Sequence, residues 1–91
     1  MKLIIDLSKK EPSLILKQGA KKIASKQWPG LYQLSETLLL EIDKFLKKNK
    51  VKLAEIKNIK VVPSKESLVS TRIAKAVALG LKINKIKVRP F

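Results

Sequence analysis

The apolar positions along this chain fall into three short-period stretches separated by two long-period ones. Lys2–Leu7 carries the continuous apolar run Leu3-Ile4-Ile5, the pattern of a central strand buried on both sides. Ser8–Pro12 reads as a turn, and Ser13–Lys17 as a second strand. Gln18-Gly19 has the character of a two-residue hairpin loop, with glycine free to take positive φ. Ala20–Gln27 returns as a third strand and stops at Trp28-Pro29-Gly30. From Gln33 to Asn49 the period lengthens to that of a helix, with Leu34, Leu38, Leu39, Ile42, Phe45 and Leu46 on one stripe and Leu40 off it. Glu36 near its start and Lys47 and Lys48 at its end suit the helix dipole.

Val51–Ile56 predicts a connector holding a single helical turn, Ile59–Val62 a fourth strand ended by Pro63, and Ser67–Leu81 a second helix. In that helix Leu68, Val69, Ile73, Val77 and Leu81 form the expected inward stripe. Ala74, Ala76, Ala78, Leu79 and Gly80 leave little polar surface beside it. Ile83–Pro90, with Ile86 and Val88 alternating against lysines, reads as a fifth strand. The order β-β-β-α-β-α-β, with hairpins first and right-handed crossovers after, predicts an α/β fold. The expectation is a ribonuclease H-like single lobe, the arrangement also found in the actin/Hsp70-like kinase superfamily, with a mixed five-stranded sheet of order 3-2-1-4-5 and two helices, spanning residues 1–91 as one domain.

A chain of 91 residues has too little other protein to bury a helix that is apolar on most sides, so the second helix points to a partner subunit. The absence of Cys and His removes the common nucleophile–base pairs and zinc ligand sets. Asp6 alone on the first strand lacks the converging carboxylates that two-metal hydrolysis needs, and reads as a turn carboxylate. No enzyme and no cofactor is expected. Leu3-Ile4-Ile5 is too short for a secretory signal, and no run suits a membrane span, so a cytoplasmic location is expected.

The charge is extreme, 21 Lys plus Arg against 7 Asp plus Glu, for a net +14. Only Arg72 and Arg89 are arginine, and the four aromatics do not interleave with the basic clusters, so the lysines read mainly as a solvated coat with weak RNA affinity. The acid-free stretch Lys82, Lys85, Lys87 and Arg89 suits either a phosphate-contacting strip or an edge strand protected against self-association. Glu41 and Asp43 beside Lys44, Lys47 and Lys48 read as an ordinary solvated helix face.

The segment LSETLLLEIDKFLKKNKVKLAEIKNIKVV, Leu34–Val62, followed by STRIAKAVALGL, Ser70–Leu81, resembles the N-terminal lobe of the TsaB family. LIIDLS, Leu3–Ser8, resembles its first strand. Ser35, Glu36, Ile42, Asp43, Leu53, Ile56, Ile59, Arg72-Ile73 and Gly80-Leu81 carry the match. TsaB is the non-catalytic partner in bacterial biosynthesis of threonylcarbamoyladenosine in tRNA. The resemblance spans nearly all of this chain but roughly the first half of a usual family member.

Three features depart from the pattern. The family's Gly-Pro-Gly-Ser-Phe-Thr-Gly turn is replaced by the longer, glycine-free Pro63–Ser70, Leu34 stands where the family has His, and the second lobe is missing. The resemblance therefore implies partner binding but not nucleotide binding. The partner is a TsaD-like catalytic subunit or a second copy, met through both helices by Leu39, Leu40, Asp43, Arg72, Ala76, Leu79 and Gly80. The alternative is a small basic RNA- or tRNA-binding module using Lys82, Lys85, Lys87 and Arg89.

Overall fold

In the computed structural model the backbone is described for residues 1–86 and the side chains for residues 1–82. Four strands, β1 (Lys2–Asp6), β2 (Ser13–Gln18), β3 (Lys21–Gln27) and β4 (Asn58–Val62), form one sheet of order β3-β2-β1-β4. β1 pairs antiparallel with β2 and parallel with β4, and β2 pairs antiparallel with β3. The apolar run of β1 thus lies in the sheet interior. Two helices, α1 (Leu34–Lys48) and α2 (Leu68–Ile86), pack against each other, and α2 also packs on β4.

Strand alternation decides which face is buried. Leu3, Ile5, Leu7, Leu14, Leu16 and Ile59 turn to the helices and are at most a few per cent exposed. They share one core with Leu34, Leu38, Ile42, Phe45 and Leu46 of α1 and with Ala74 and Ala78 of α2. The β2–β3 loop is Gly19-Ala20, one residue later than the pattern suggested. Gly19 at φ 64° takes the first loop position, where a type II′ hairpin favours glycine. α1 ends in a Schellman motif, with Val51 N–H donating to the Leu46 carbonyl, Lys50 N–H to that of Lys47, and Lys50 at φ 57°. The helical turn expected in the Val51–Ile56 connector between α1 and β4 is a 3-10 turn at Leu53–Glu55.

The expectation for the C-terminal segment is corrected. The fifth strand, and with it the order 3-2-1-4-5, is not seen: residues 83–86 continue α2, and 87–90 lie outside the described residues. Gly80 does not stop the helix, because one glycine costs only about 1 kcal/mol and no proline follows before Ile86. Ile83 and Ile86 are three apart, a spacing that a helix accommodates as well as a strand.

Of the stripe expected to face inward on α2, Ile73, Val77 and Leu81 pack against the core, but the first turn differs. Ser67, Ser70, Thr71, Ala74 and Ala78 are buried, whereas Leu68 and Val69 are about two-thirds exposed. A face of small side chains lets the helix lie close to the sheet, and its hydroxyls are tied into the structure. On α1, Leu39 lies off the buried stripe and is 57% exposed.

Hydroxyls also build the turn where glycine was expected. Ser64 N–H donates to Thr71 Oγ1 at 2.9 Å, and the N–H groups of Glu66 and Ser67 donate to Ser64 Oγ. Ser67 caps α2 by accepting from Ser70 N–H at 3.1 Å, and Ser70 Oγ donates to the Leu31 carbonyl at 2.6 Å. Ser67→Ala removes this cap and leaves Ser70 Oγ without its neighbour. The expected loss is about 1 kcal/mol, a fall of about 1 M or less in the urea midpoint, read by circular dichroism. An unchanged midpoint would show that the cap contributes nothing.

Candidate partner interface

The exposed apolar surface concentrates where α1 and α2 meet. Leu39 from α1 and Ala76, Val77, Gly80 and Leu81 from α2 line an open groove of about 320 Å3. It continues into a hollow of about 180 Å3 between Leu39, Ile42, Asp43, Leu46, Leu53 and Leu81. The groove exists because α2 presents only small side chains at Ala76 and Gly80. A β-carbon added at Gly80 would meet nothing within 4 Å. Asp43 sits at the polar margin and pairs with Lys47 at 3.1 Å, an exposed i,i+4 contact. Glu41, expected to share that solvated face, turns away and reaches Lys26 on β3 at 2.6 Å, linking α1 to the sheet.

Of the seven residues expected at a partner interface, the groove and its hollow bring together Leu39, Asp43, Ala76 and Gly80. Leu40 is 53% exposed but lies two residues before buried Ile42, on the outward side of α1, away from the groove. Arg72 is exposed and makes no ion pair among the described residues. Leu79 projects over the β4 edge instead, lining a hollow with Ile59, Val61, Lys75, Ala78 and Lys82. Val77, Leu81 and Leu53 belong to the groove and were missed as contacts. Val77 and Leu81 are half-buried: they pack against the core, as the stripe predicts, and also line the groove.

Of the four basic residues considered for RNA contact, Lys82 is exposed at the β4-edge hollow. Lys85 falls on α2, not on a strand, and Lys87 and Arg89 lie outside the described residues. Asp6 serves the β1–β2 turn: its Oδ1 accepts from Ser8 N–H at 2.9 Å and from Ser8 Oγ at 2.6 Å. Among the described residues no three Asp or Glu side chains cluster as a metal would require, and no helix is long and apolar enough to cross a membrane.

Gly80→Ala separates the two roles of this position. In the free chain the added methyl meets open space and favours the helix, so stability should rise by up to about 1 kcal/mol. Thermal unfolding checks this, and a lowered midpoint would mean that the position is already close-packed.

No protein-family model and no curated protein matches the sequence. The fold nevertheless belongs to a known class, that of one lobe of YeaZ-type proteins. YeaZ from Pseudomonas aeruginosa superposes on 92% of this chain with a TM-score of 0.72 at 22% identity. A second solved structure, the crystal structure of an uncharacterized protein with similarity to peptidase YeaZ from Pseudomonas aeruginosa, superposes on 92% with a TM-score of 0.76, again at 22% identity. This chain covers only 39% and 38% of those two proteins. At such identity the likeness establishes the fold.

Proposed function

We propose that this chain is a non-catalytic interaction subunit resembling a single-lobe TsaB. It associates through α1 and α2 with a TsaD-like catalytic subunit or a second copy, and supports threonylcarbamoyladenosine modification of tRNA. The observation that carries this reading is the solvent-open apolar groove between the helices. A small domain keeps such a surface when a partner covers it. The likeness in fold to YeaZ, the protein also called TsaB, supports the same reading.

The groove suits an incoming helix: Ala76 and Gly80, four residues apart on α2, allow close backbone approach beside Leu39. The test is co-expression of the chain with a TsaD-like subunit, followed by size-exclusion chromatography with light scattering at moderate salt. A stoichiometric complex, or a homodimer of the chain alone, supports the reading. A monomer that elutes apart from the TsaD-like subunit refutes it.

A further inference from the structure

Charge is distributed unevenly along the strand direction. β1, β3 and β4 start at one end of the sheet, where β2 stops and α1 runs out. Lysines gather at that end. Lys17 and Lys21 stand on either side of the β2–β3 loop, Lys48 and Lys50 at the end of α1, and Lys52 and Lys57 in the connector to β4. Lys57 N–H donates to the Met1 carbonyl at 2.7 Å and Lys2 lies opposite Lys17, so connector and hairpin flank the start of β1. Lys48 and Asn49 border a hollow against Ala24 and Ser25, which sets the end of α1 beside β3.

The acids lie elsewhere, and all seven are among the described residues. Asp6 and Glu11 flank the β1–β2 turn, Glu36 opens α1 and Glu66 precedes α2, all at the opposite end. Glu41 and Asp43 lie along α1 and pair with Lys26 and Lys47. Only Glu55 stands among the six lysines, and its Oε1 accepts from Lys52 N–H at 2.8 Å. None of the six has an ion-pair partner among the described residues. Local stabilisation does not explain the set. The α1 dipole suits Lys48, but Lys17 lies on β2, an interior strand that needs no edge protection. Like charges directly opposite repel, yet Lys2 faces Lys17.

We propose that this lysine-rich end binds the phosphate backbone of a double-helical RNA stem without reading its sequence. Charge complementarity selects a polyanion, which gains affinity by releasing its counterions. Lysines are point charges and bring no planar fork for a base edge. Trp28 and Phe45 are buried and Tyr32 precedes α1 at the opposite end, so no described aromatic ring can stack an unpaired base here. The exposed loop tip Gly19-Ala20 offers no large apolar anchor of the kind that a protein partner or a lipid surface uses. A second copy would bring lysines onto lysines. The choice of RNA over DNA rests on the tRNA reading above, whereas the placement of the lysines does not.

The experiment is fluorescence anisotropy of a labelled RNA hairpin, with a stem of about 16 base pairs, titrated with the full chain across a range of salt. Log affinity should fall with log salt at a slope of about −5, close to 0.9 for each of six neutralised phosphates. Lys21→Gln with Lys48→Gln and Lys57→Gln should flatten that slope by about 3 and weaken binding at least about tenfold. Lys9→Gln with Lys10→Gln and Lys65→Gln removes the same charge at the opposite end and should change neither. Lys21→Arg with Lys48→Arg and Lys57→Arg should keep the affinity, and circular dichroism checks that each variant is folded. Because the chain is tested alone, failure of this contact and failure of the groove association are read separately. Equal loss from the two glutamine variants, tighter binding to a DNA hairpin of the same length, or binding to phosphatidylglycerol vesicles without binding to the RNA would each overturn the proposal.

Discussion

Leu39→Glu should yield a folded chain that has lost the association proposed for the α1–α2 groove. Leu39 is 57% exposed and is the α1 residue common to both halves of the groove, so its side chain carries little of the core and much of the candidate contact. A carboxylate placed there would be desolvated by an incoming helix with no described cation lining the groove to pair it. Truncating a central anchor of an interface costs 2 kcal/mol or more, and burying a charge costs more still, so affinity should fall by at least about thirtyfold. Leu40→Glu is the matched control: it changes the same residue type one position along, on the outward side of the helix, and should leave association intact. Light scattering of both variants with the TsaD-like subunit, beside circular dichroism for folding, reads the result. Undiminished association of Leu39→Glu, or equal loss with Leu40→Glu, would remove the groove from the interface.

The largest effect on folding is expected from Trp28→Ala. Trp28 is 5% exposed where β3 gives way to the segment leading into α1. Its backbone N–H donates to the Pro12 carbonyl at 3.1 Å, and its indole Nε1–H donates to Thr37 Oγ1 at 3.2 Å. Gly30, at φ 150°, brings its backbone against the ring, where even a β-carbon would stand 3.4 Å from Trp28 Cδ1. Trp28 therefore joins the hairpin through its backbone, and the turn and α1 through its indole. Removing a buried tryptophan costs about 3–5 kcal/mol, a large part of the 5–15 kcal/mol that holds a typical domain folded. The melting temperature should drop by more than about 12 °C, using about 4 °C per kcal/mol for a domain of this size. Tyr32→Ala, at a side chain 70% exposed, should shift it little. Similar shifts for the two variants would show that Trp28 is not a structural hub.

How much of this was readable beforehand depended on the kind of signal. The four strands and two helices follow from period, turn residues and Pro63, and the central position of β1 follows from Leu3-Ile4-Ile5. On α2 the inward placement of Ile73, Val77 and Leu81 follows from the period, but what its first turn buries does not. Apolarity ranks Leu68 and Val69 above Ser67, Ser70 and Thr71, yet the structure buries the hydroxyls because each finds a hydrogen-bond partner. The same ambiguity split the candidate site. Leu39, Asp43, Ala76 and Gly80 converge, while Leu40 and Leu79 project elsewhere, since exposure depends on neighbours that are distant in sequence. The β-bulge that sets Lys22 opposite Lys17 left no mark in the pattern at all.

The small inward face of α2 divides labour along a single helix. Its serines, threonine and alanines meet the requirements of the domain, so the residues that look outward are released from them. A helix whose large apolar groups filled the core could change partners only by putting its own fold at risk. Here Ala76 and Gly80 can be exchanged without disturbing a buried contact, and specificity for a partner can be retuned while the scaffold stays as it is.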